Sequence, residues 1–254
     1  MKKLTPIEEV IFNDGERLIP GVTHDLAEVI RHRSSYLFFR KVIENDLANR
    51  RRESESIQIV DLGCGVGYGC CILSNIAGVK ILGVDHSPES LEYARRHYSR
   101  ANITYEVGDL IEFIPTMSEF DYVISRGVFE HVPGGLRLAL STKWRNRLLF
   151  DVPYDESEGK NPYHMLHKIC EETFSGFPGV QLFFQDLNGV IYDSQRKPAN
   201  PNMIMCVCSH PELLRVVSQP ITFPFPAWQP KQSLILKNLN WSKIIQKVRE
   251  VLLR

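Results

Sequence analysis

The run Val60-Asp61-Leu62-Gly63-Cys64-Gly65-Val66-Gly67-Tyr68-Gly69 sets an acid at the end of an apolar stretch and spaced glycines directly after it. Ile57, Ile59, Val60 and Leu62 are apolar and mostly β-branched, which predicts a buried strand with Asp61 near its C-terminal end. In an open α/β sheet that end faces the ligand crevice. Glycines at 63, 65 and 67 permit positive φ and let a ligand approach the backbone, and a helix is expected from near Tyr68. Strand, acid and turn together describe a nucleotide site. The dinucleotide fingerprint needs a small residue three places after its second glycine, where this chain has Tyr68 or Cys70, so a pyrophosphate fits poorly. A carboxylate at 61 suits a cationic group instead.

Two further acids follow the same plan. Val79 to Val84 reads as a second strand closing on Asp85, with His86 beside it, and an acid about twenty residues past such a turn accepts ribose hydroxyls. Ser87 suits an N-cap, Pro88 the first helical position and Glu89 the positive end of the helix dipole, which predicts a helix from Pro88 to about Tyr98. Ile103 to Val107 alternates as a third strand and leads into Gly108-Asp109-Leu110. Phe120 to Ser125 is a fourth, bringing Ser125 and Arg126 to the same edge.

Glu130-His131 comes directly after the fourth strand, and Asn161-Pro162-Tyr163-His164-Met165-Leu166-His167 lies in a polar insert after a fifth. A loop at the carboxyl end of a parallel sheet is well placed to cover a second substrate. Histidine titrates near neutral pH, so His131 and His164 are candidate general bases, with Glu130 as a third catalytic candidate. The bland alternative has Glu130 capping or pairing on a helix and His131 packing beneath the ligand.

The Asp-x-Gly-x-Gly-x-Gly form over 61–67 resembles motif I of the class I S-adenosyl-L-methionine (SAM) methyltransferases. The resemblance implies SAM as cofactor, where the turn alone leaves NAD open. It implies a cradle of Asp61, Gly63, Cys64, Gly65, Gly67 and Tyr68, with Asp85 and His86 at the ribose, Asp109 and Leu110 at the adenine, and Ser125 and Arg126 facing the sulfonium. Gly15-Glu16-Arg17-Leu18-Ile19-Pro20-Gly21, Phe129-Glu130-His131-Val132 and Asn161-Pro162-Tyr163-His164 followed by Glu172 resemble a narrower group, the methyltransferases associated with glycosyltransferases in surface-polysaccharide pathways. This similarity spans roughly residues 12–208. It implies O-methylation of a sugar hydroxyl with His164 or His131 as base, and Arg17, Tyr36, Tyr163 and His167 around the acceptor or in a lid. The group's His-x-x-Arg-Tyr helix pattern is replaced here by Arg31-His32-Arg33-Ser34-Ser35-Tyr36.

A second reading is methylation of another small molecule or an RNA end. Glu130, His131, His164 and His167 loosely resemble the metal set of the magnesium-dependent small-RNA terminal methyltransferases, with Gly127 where those proteins have their first Glu; the leading reading uses no metal. A third reading is a non-catalytic SAM-fold protein, which the presence of Asp61, Asp85 and Asp109 argues against.

A chain of 254 residues with 43% hydrophobic content can bury a full core, and 30 basic against 30 acidic residues leave no global field to attract nucleic acid. The six cysteines form no C-x-x-C pair, so a reducing cytoplasm is expected. Neither an apolar signal region nor an 18-residue apolar run is present, so neither secretion nor a membrane span is expected. Strands alternating with helices predict a Rossmann-like seven-stranded α/β sheet, mostly parallel with the last strand antiparallel and helices on both faces. Residues 24–48 read as two helices broken at Arg33-Ser34-Ser35, and Leu136 to Trp144 as a helix. Residues 147–152 read as strand five, Glu171 to Ser175 as a short helix, and 180–185 and 203–208 as the last strands. The expected division is a helical cap or lid over 1–50, a SAM-binding domain over 51–218, and a proline-containing connection with an amphipathic helix over 219–254. From Asn240 that helix aligns Trp241, Ile244, Ile245, Val248, Val251 and Leu252. It is expected to dock on the domain or on a second subunit of a homodimer, with peripheral membrane contact as the alternative. The other partner expected is a small-molecule or saccharide acceptor.

Overall fold

The computed structural model describes residues 4–13, 17–22, 26–48, 56–211 and 221–230; the helix expected over 240–254 lies outside them. Ile57–Leu62 forms β1, whose successive side chains point to opposite faces of the sheet, Ile59 into one core and Val60 into the other. Val79–Asp85 (β2), Ile103–Val107 (β3), Phe120–Arg126 (β4) and Trp144–Pro153 (β5) continue the sheet in parallel. Gln181–Gln185 (β6), Ile191–Asp193 (β7) and Met203–Ser209 (β8) complete it through antiparallel pairings, in the order β3-β2-β1-β4-β5-β8-β6-β7. The architecture is the expected Rossmann-like α/β sheet with an antiparallel end. It has eight strands because β7, three residues long, adds to β6. β1 pairs with β2 on one side and β4 on the other, so the crevice opens beyond the carboxyl ends of these strands.

Pro6–Asn13 (α1), Leu26–Ala48 (α2), Tyr68–Leu73 (α3) and Pro88–His97 (α4) cover one face, burying Ile11, Phe38, Phe39, Leu73 and Leu91. Leu110–Thr116 (α5) and Gly135–Leu140 (α6) cover the other, with Ile114, Phe129 and Phe150 at its centre. The break expected at Arg33-Ser34-Ser35 does not occur: α2 is continuous over 23 residues. Ser34 Oγ donates to Ile30 O at 2.7 Å and accepts from Trp228 N at 2.8 Å, and Ser35 Oγ accepts from Gln185 Nε2 at 3.2 Å. Ser34 thus bonds back to the i−4 carbonyl within a continuous helix while Trp228 and Gln185 hold the two hydroxyl oxygens from outside it, so neither side chain diverts the helical backbone. α4 begins as predicted, Ser87 Oγ accepting from Ser90 N at 3.1 Å. The helix expected over Leu136–Trp144 ends at Leu140, where Thr142 Oγ1 turns back onto Ala139 O at 2.6 Å, and Trp144 already belongs to β5. Among the described residues no helix is long and apolar enough to cross a membrane.

Candidate active site

The glycine turn is pinned to the neighbouring strand, Gly63 N and Cys64 N donating to Val84 O at 2.8 and 3.0 Å. Gly63 has φ 72° and Gly67 φ 80°, and a Cβ there would meet Val128 Cγ2 or Tyr105 Oη at 2.5 Å, so neither position admits a side chain. Gly65 differs: its Cβ side is open, and its N–H donates to Asp85 Oδ2 at 2.8 Å. Asp85 Oδ1 also accepts from Ser87 N at 2.9 Å and from Arg17 Nη2 at 3.4 Å. The carboxylate is thereby held on three sides at the edge of the crevice.

That crevice is a cavity of about 570 Å³. Its wall brings together Gly63, Cys64, Gly65, Tyr68, Asp85, His86, Asp109, Leu110 and Arg126 of the expected cofactor set, and Arg17, Tyr36, His131 and Tyr163 from the catalytic and acceptor sets. The volume suits a nucleoside-sized ligand with room beside it. Arg17 Nη2 meets His86 Nε2 at 2.8 Å, so the two close one rim together. Asp109 is both wall and cap, its Oδ1 accepting from Ile111 N at 2.7 Å at the start of α5.

Several predicted residues stand elsewhere. Ser125 is fully buried, its Oγ donating to Leu62 O at 3.0 Å across β4 and β1, so Arg126 alone reaches the wall from that pair. Asp61 is also fully buried and lies behind the wall. Tyr36 Oη donates to both of its oxygens at 3.2 Å, and Cys70 Sγ donates to Oδ2 at 3.3 Å. Burial pushes the Asp61 pKa up to about 7, hydrogen bonds from Cys70 and Tyr36 oppose the shift, and the nearby Asp85 adds to it. Tyr36 is therefore no lid residue; it is an interior residue of α2 standing between the strand-end acid and the cavity. Its ring rests on Gly69, where a Cβ would fall 2.1 Å from Tyr36 Cζ. Gly69→Ala is expected to destabilise the fold by about 1–3 kcal/mol through overpacking, measured as a lowered denaturation midpoint.

The catalytic candidates cluster beyond β4. Phe129–His131 forms one 3₁₀ turn, and the insert is tied to it, Met165 N donating to Glu130 O at 2.7 Å. His131 Nδ1 donates to Tyr163 O at 3.1 Å, and its ring meets that of His164 edge-on, centroids 4.7 Å apart. His164 lies behind the cavity wall with both nitrogens engaged, Nδ1 by Glu156 and Nε2 by Asn161 Nδ2 at 3.0 Å. Glu130 is buried with no hydrogen-bond partner for Oε2, and burial, with Asp151 adding, pushes its pKa up to about 8. Ligand atoms of Glu130, His131 and His164 lie within 4.8 Å of one another; His167 is not part of this group. Sequence reasoning missed His32 and Glu156. The spacing of His32 and Tyr36, one helical turn apart on one face, is the signal for the first; the second had none.

Comparison with known proteins agrees with this fold. The family profile of the methyltransferase domain matches residues 59–148. A Mycolicibacterium smegmatis protein named "Probable S-adenosylmethionine-dependent methyltransferase" is 28% identical over 165 residues, covering 59% of this chain and 57% of that protein. A malonyl-[acyl-carrier protein] O-methyltransferase of Acetivibrio thermocellus is 32% identical over 154 residues, covering 49% of this chain and 54% of that protein. The chain thus spans little more than half the length of these relatives. Among solved structures, WbdD superposes with a TM-score of 0.51 at 19% identity, over 76% of this chain and 43% of that one, a likeness of fold. Residues 59–148 match the methyltransferase domain family, and the cofactor is S-adenosyl-L-methionine.

Proposed function

We propose that the protein transfers a methyl group from SAM to a hydroxyl oxygen of a saccharide, with His131 as general base. The position and tautomer of His131 carry this reading. A carbonyl oxygen only accepts, so Nδ1 holds the proton given to Tyr163 O, and the neutral ring carries its lone pair on Nε2. Bound SAM supplies an electrophilic methyl on a sulfonium. The acceptor oxygen forms the new O–CH₃ bond as the C–S bond breaks, the electron pair stays on sulfur, and the hydroxyl proton passes to His131 Nε2. Much of the rate in such an in-line displacement comes from positioning. Glu130 already holds a proton near neutral pH and so is poorly placed to accept another, and both nitrogens of His164 are engaged. Tyr163 and Met165 are exposed beside Pro162 on the wall, apolar surfaces that suit the C–H face of a sugar ring. The Acetivibrio relative is named an O-methyltransferase, which supports an oxygen acceptor. The test is incubation with methyl-labelled SAM and separate pools of nucleotide sugars, oligosaccharides and small RNAs. Label in an alkali-stable ether of a saccharide is expected; label only in RNA, or only in a non-saccharide, overturns the reading.

The cluster of Glu130, His131 and His164, with Glu130 Oε2 lacking a partner, supports a second reading. A divalent cation held there would acidify the acceptor hydroxyl directly, and two imidazoles with a carboxylate suit a transition metal better than magnesium. Full activity after exhaustive chelation eliminates it.

The cofactor's ammonium group favours the ionised form of Asp61, whose pKa of about 7 reflects burial among Cys70, Tyr36 and Asp85. This folded value lies above that of an unfolded Asp, so the stability contributed by the group is full below about pH 4 and is lost as pH rises through 7. Ligand binding has the opposite slope. Affinity for S-adenosylhomocysteine is expected to climb up to about tenfold per pH unit below 7 and to level off above it, with release of a proton seen as a buffer-dependent heat. In Asp61→Asn that slope is expected to vanish.

A further inference from the structure

Two tyrosines on the cavity wall have hydroxyls whose polarity the surrounding residues determine. Arginine only donates, so Arg126 Nη1, 2.5 Å from His32 Nε2, makes that nitrogen an acceptor. The neutral His32 ring must then carry its proton on Nδ1, which donates to Tyr68 Oη at 2.7 Å. Tyr68 keeps its own hydroxyl proton for another partner, and none is found among the described residues. On the other side, ionised Asp61 only accepts, so Tyr36 spends its proton on that carboxylate and presents oxygen lone pairs. The two rings are near-perpendicular with centroids 5.6 Å apart, and both line the cavity. A buried acid thus stands behind an acceptor, and a buried guanidinium behind a donor.

We propose that Tyr36 and Tyr68 form an α-amino-acid clamp, Tyr36 oxygen accepting from the ammonium of the cofactor's methionine half and Tyr68 O–H donating to its carboxylate. The proposal rests on the SAM assignment and names the residues that read the zwitterion. The donor chain Arg126–His32–Tyr68 crosses from β4 to α2 to α3, so the clamp exists only in the folded domain. Hydrogen bonds polarise one another along such a chain, which makes the Tyr68 proton a better partner for an anion than a lone phenol.

Equilibrium binding of three ligands tests it: S-adenosylhomocysteine, its decarboxylated analogue, and methylthioadenosine, which lacks both charged groups. Tyr68→Phe is expected to weaken S-adenosylhomocysteine about tenfold or more while changing the decarboxylated analogue less than about twofold. Tyr36→Phe is expected to weaken both amine-bearing ligands about tenfold and to leave methylthioadenosine within about twofold. Retained methylthioadenosine binding also reports that each variant is folded. Equal losses for all three ligands, or no loss of S-adenosylhomocysteine in either variant, overturn the clamp. Normal S-adenosylhomocysteine binding by Tyr68→Phe with a raised KM for the acceptor overturns it too, by assigning the donor to the acceptor. If the native protein binds none of the three, the cofactor assignment itself has failed.

Discussion

His131→Asn lowers kcat by about 10² to 10⁴ while S-adenosylhomocysteine binds with unchanged affinity. The size follows from the work assigned to the side chain. A neutral hydroxyl is a poor nucleophile, and a base with a pKa near the working pH removes the proton as the C–O bond forms. Asparagine keeps a donor for the Tyr163 carbonyl, so the turn and insert stay joined, but it has no basic nitrogen. A companion variant separates the two readings of this site. Glu130→Gln is nearly isosteric with the proton-bearing carboxyl, and under the base reading it changes kcat less than about threefold, within the small effect typical of a substitution that removes no interaction. Under the metal reading it costs as much as His131→Asn, because a cation ligand is gone. Single-turnover kinetics at saturating SAM would measure both.

Asp85→Ala produces the second large effect, a loss of SAM affinity of about 10²-fold or more. The carboxylate is almost fully buried, takes one backbone N–H from the glycine turn and another from the cap of α4, and faces Arg17. A carboxylate has lone pairs to accept from a ribose diol as well. Alanine leaves Gly65 N and Ser87 N without their acceptor, at about 1–3 kcal/mol for each donor that stays unsatisfied, and removes the sugar contact. Loop disorder and lost contact both act on the cofactor, so KM for SAM rises far more than KM for the acceptor falls or rises. Equilibrium dialysis with labelled SAM measures the loss; an unchanged dissociation constant would remove Asp85 from the site.

The strand ends were the legible part of this chain. β1, β2 and β4 announce themselves by β-branched runs that stop at Asp61, Asp85 and Arg126, and parallel topology delivers all three ends to one edge. What lies behind each end was not legible. Asp61 reads as a ligand group, yet a tyrosine 25 positions earlier covers it, a contact made only once α2 lies across the sheet. Arg126 meets His32 across 94 positions, which no local spacing encodes. The resemblance expects an arginine in the helix where Ser35 stands, and the guanidinium beside His32 comes instead from β4. Ser34 and Ser35 suggested a helix break for a sound local reason, and tertiary partners, Trp228 and Gln185, overrode it. His131 and His164 looked equivalent by type, and their places separate them, His131 on the cavity wall and His164 behind it against Glu156 and Asn161.

Isothermal titration of the native protein with S-adenosylhomocysteine, repeated with NAD as competitor, tests the cofactor site most directly. One saturable site per chain with no displacement by NAD is the predicted result; absence of binding, or displacement by NAD, would contradict the account.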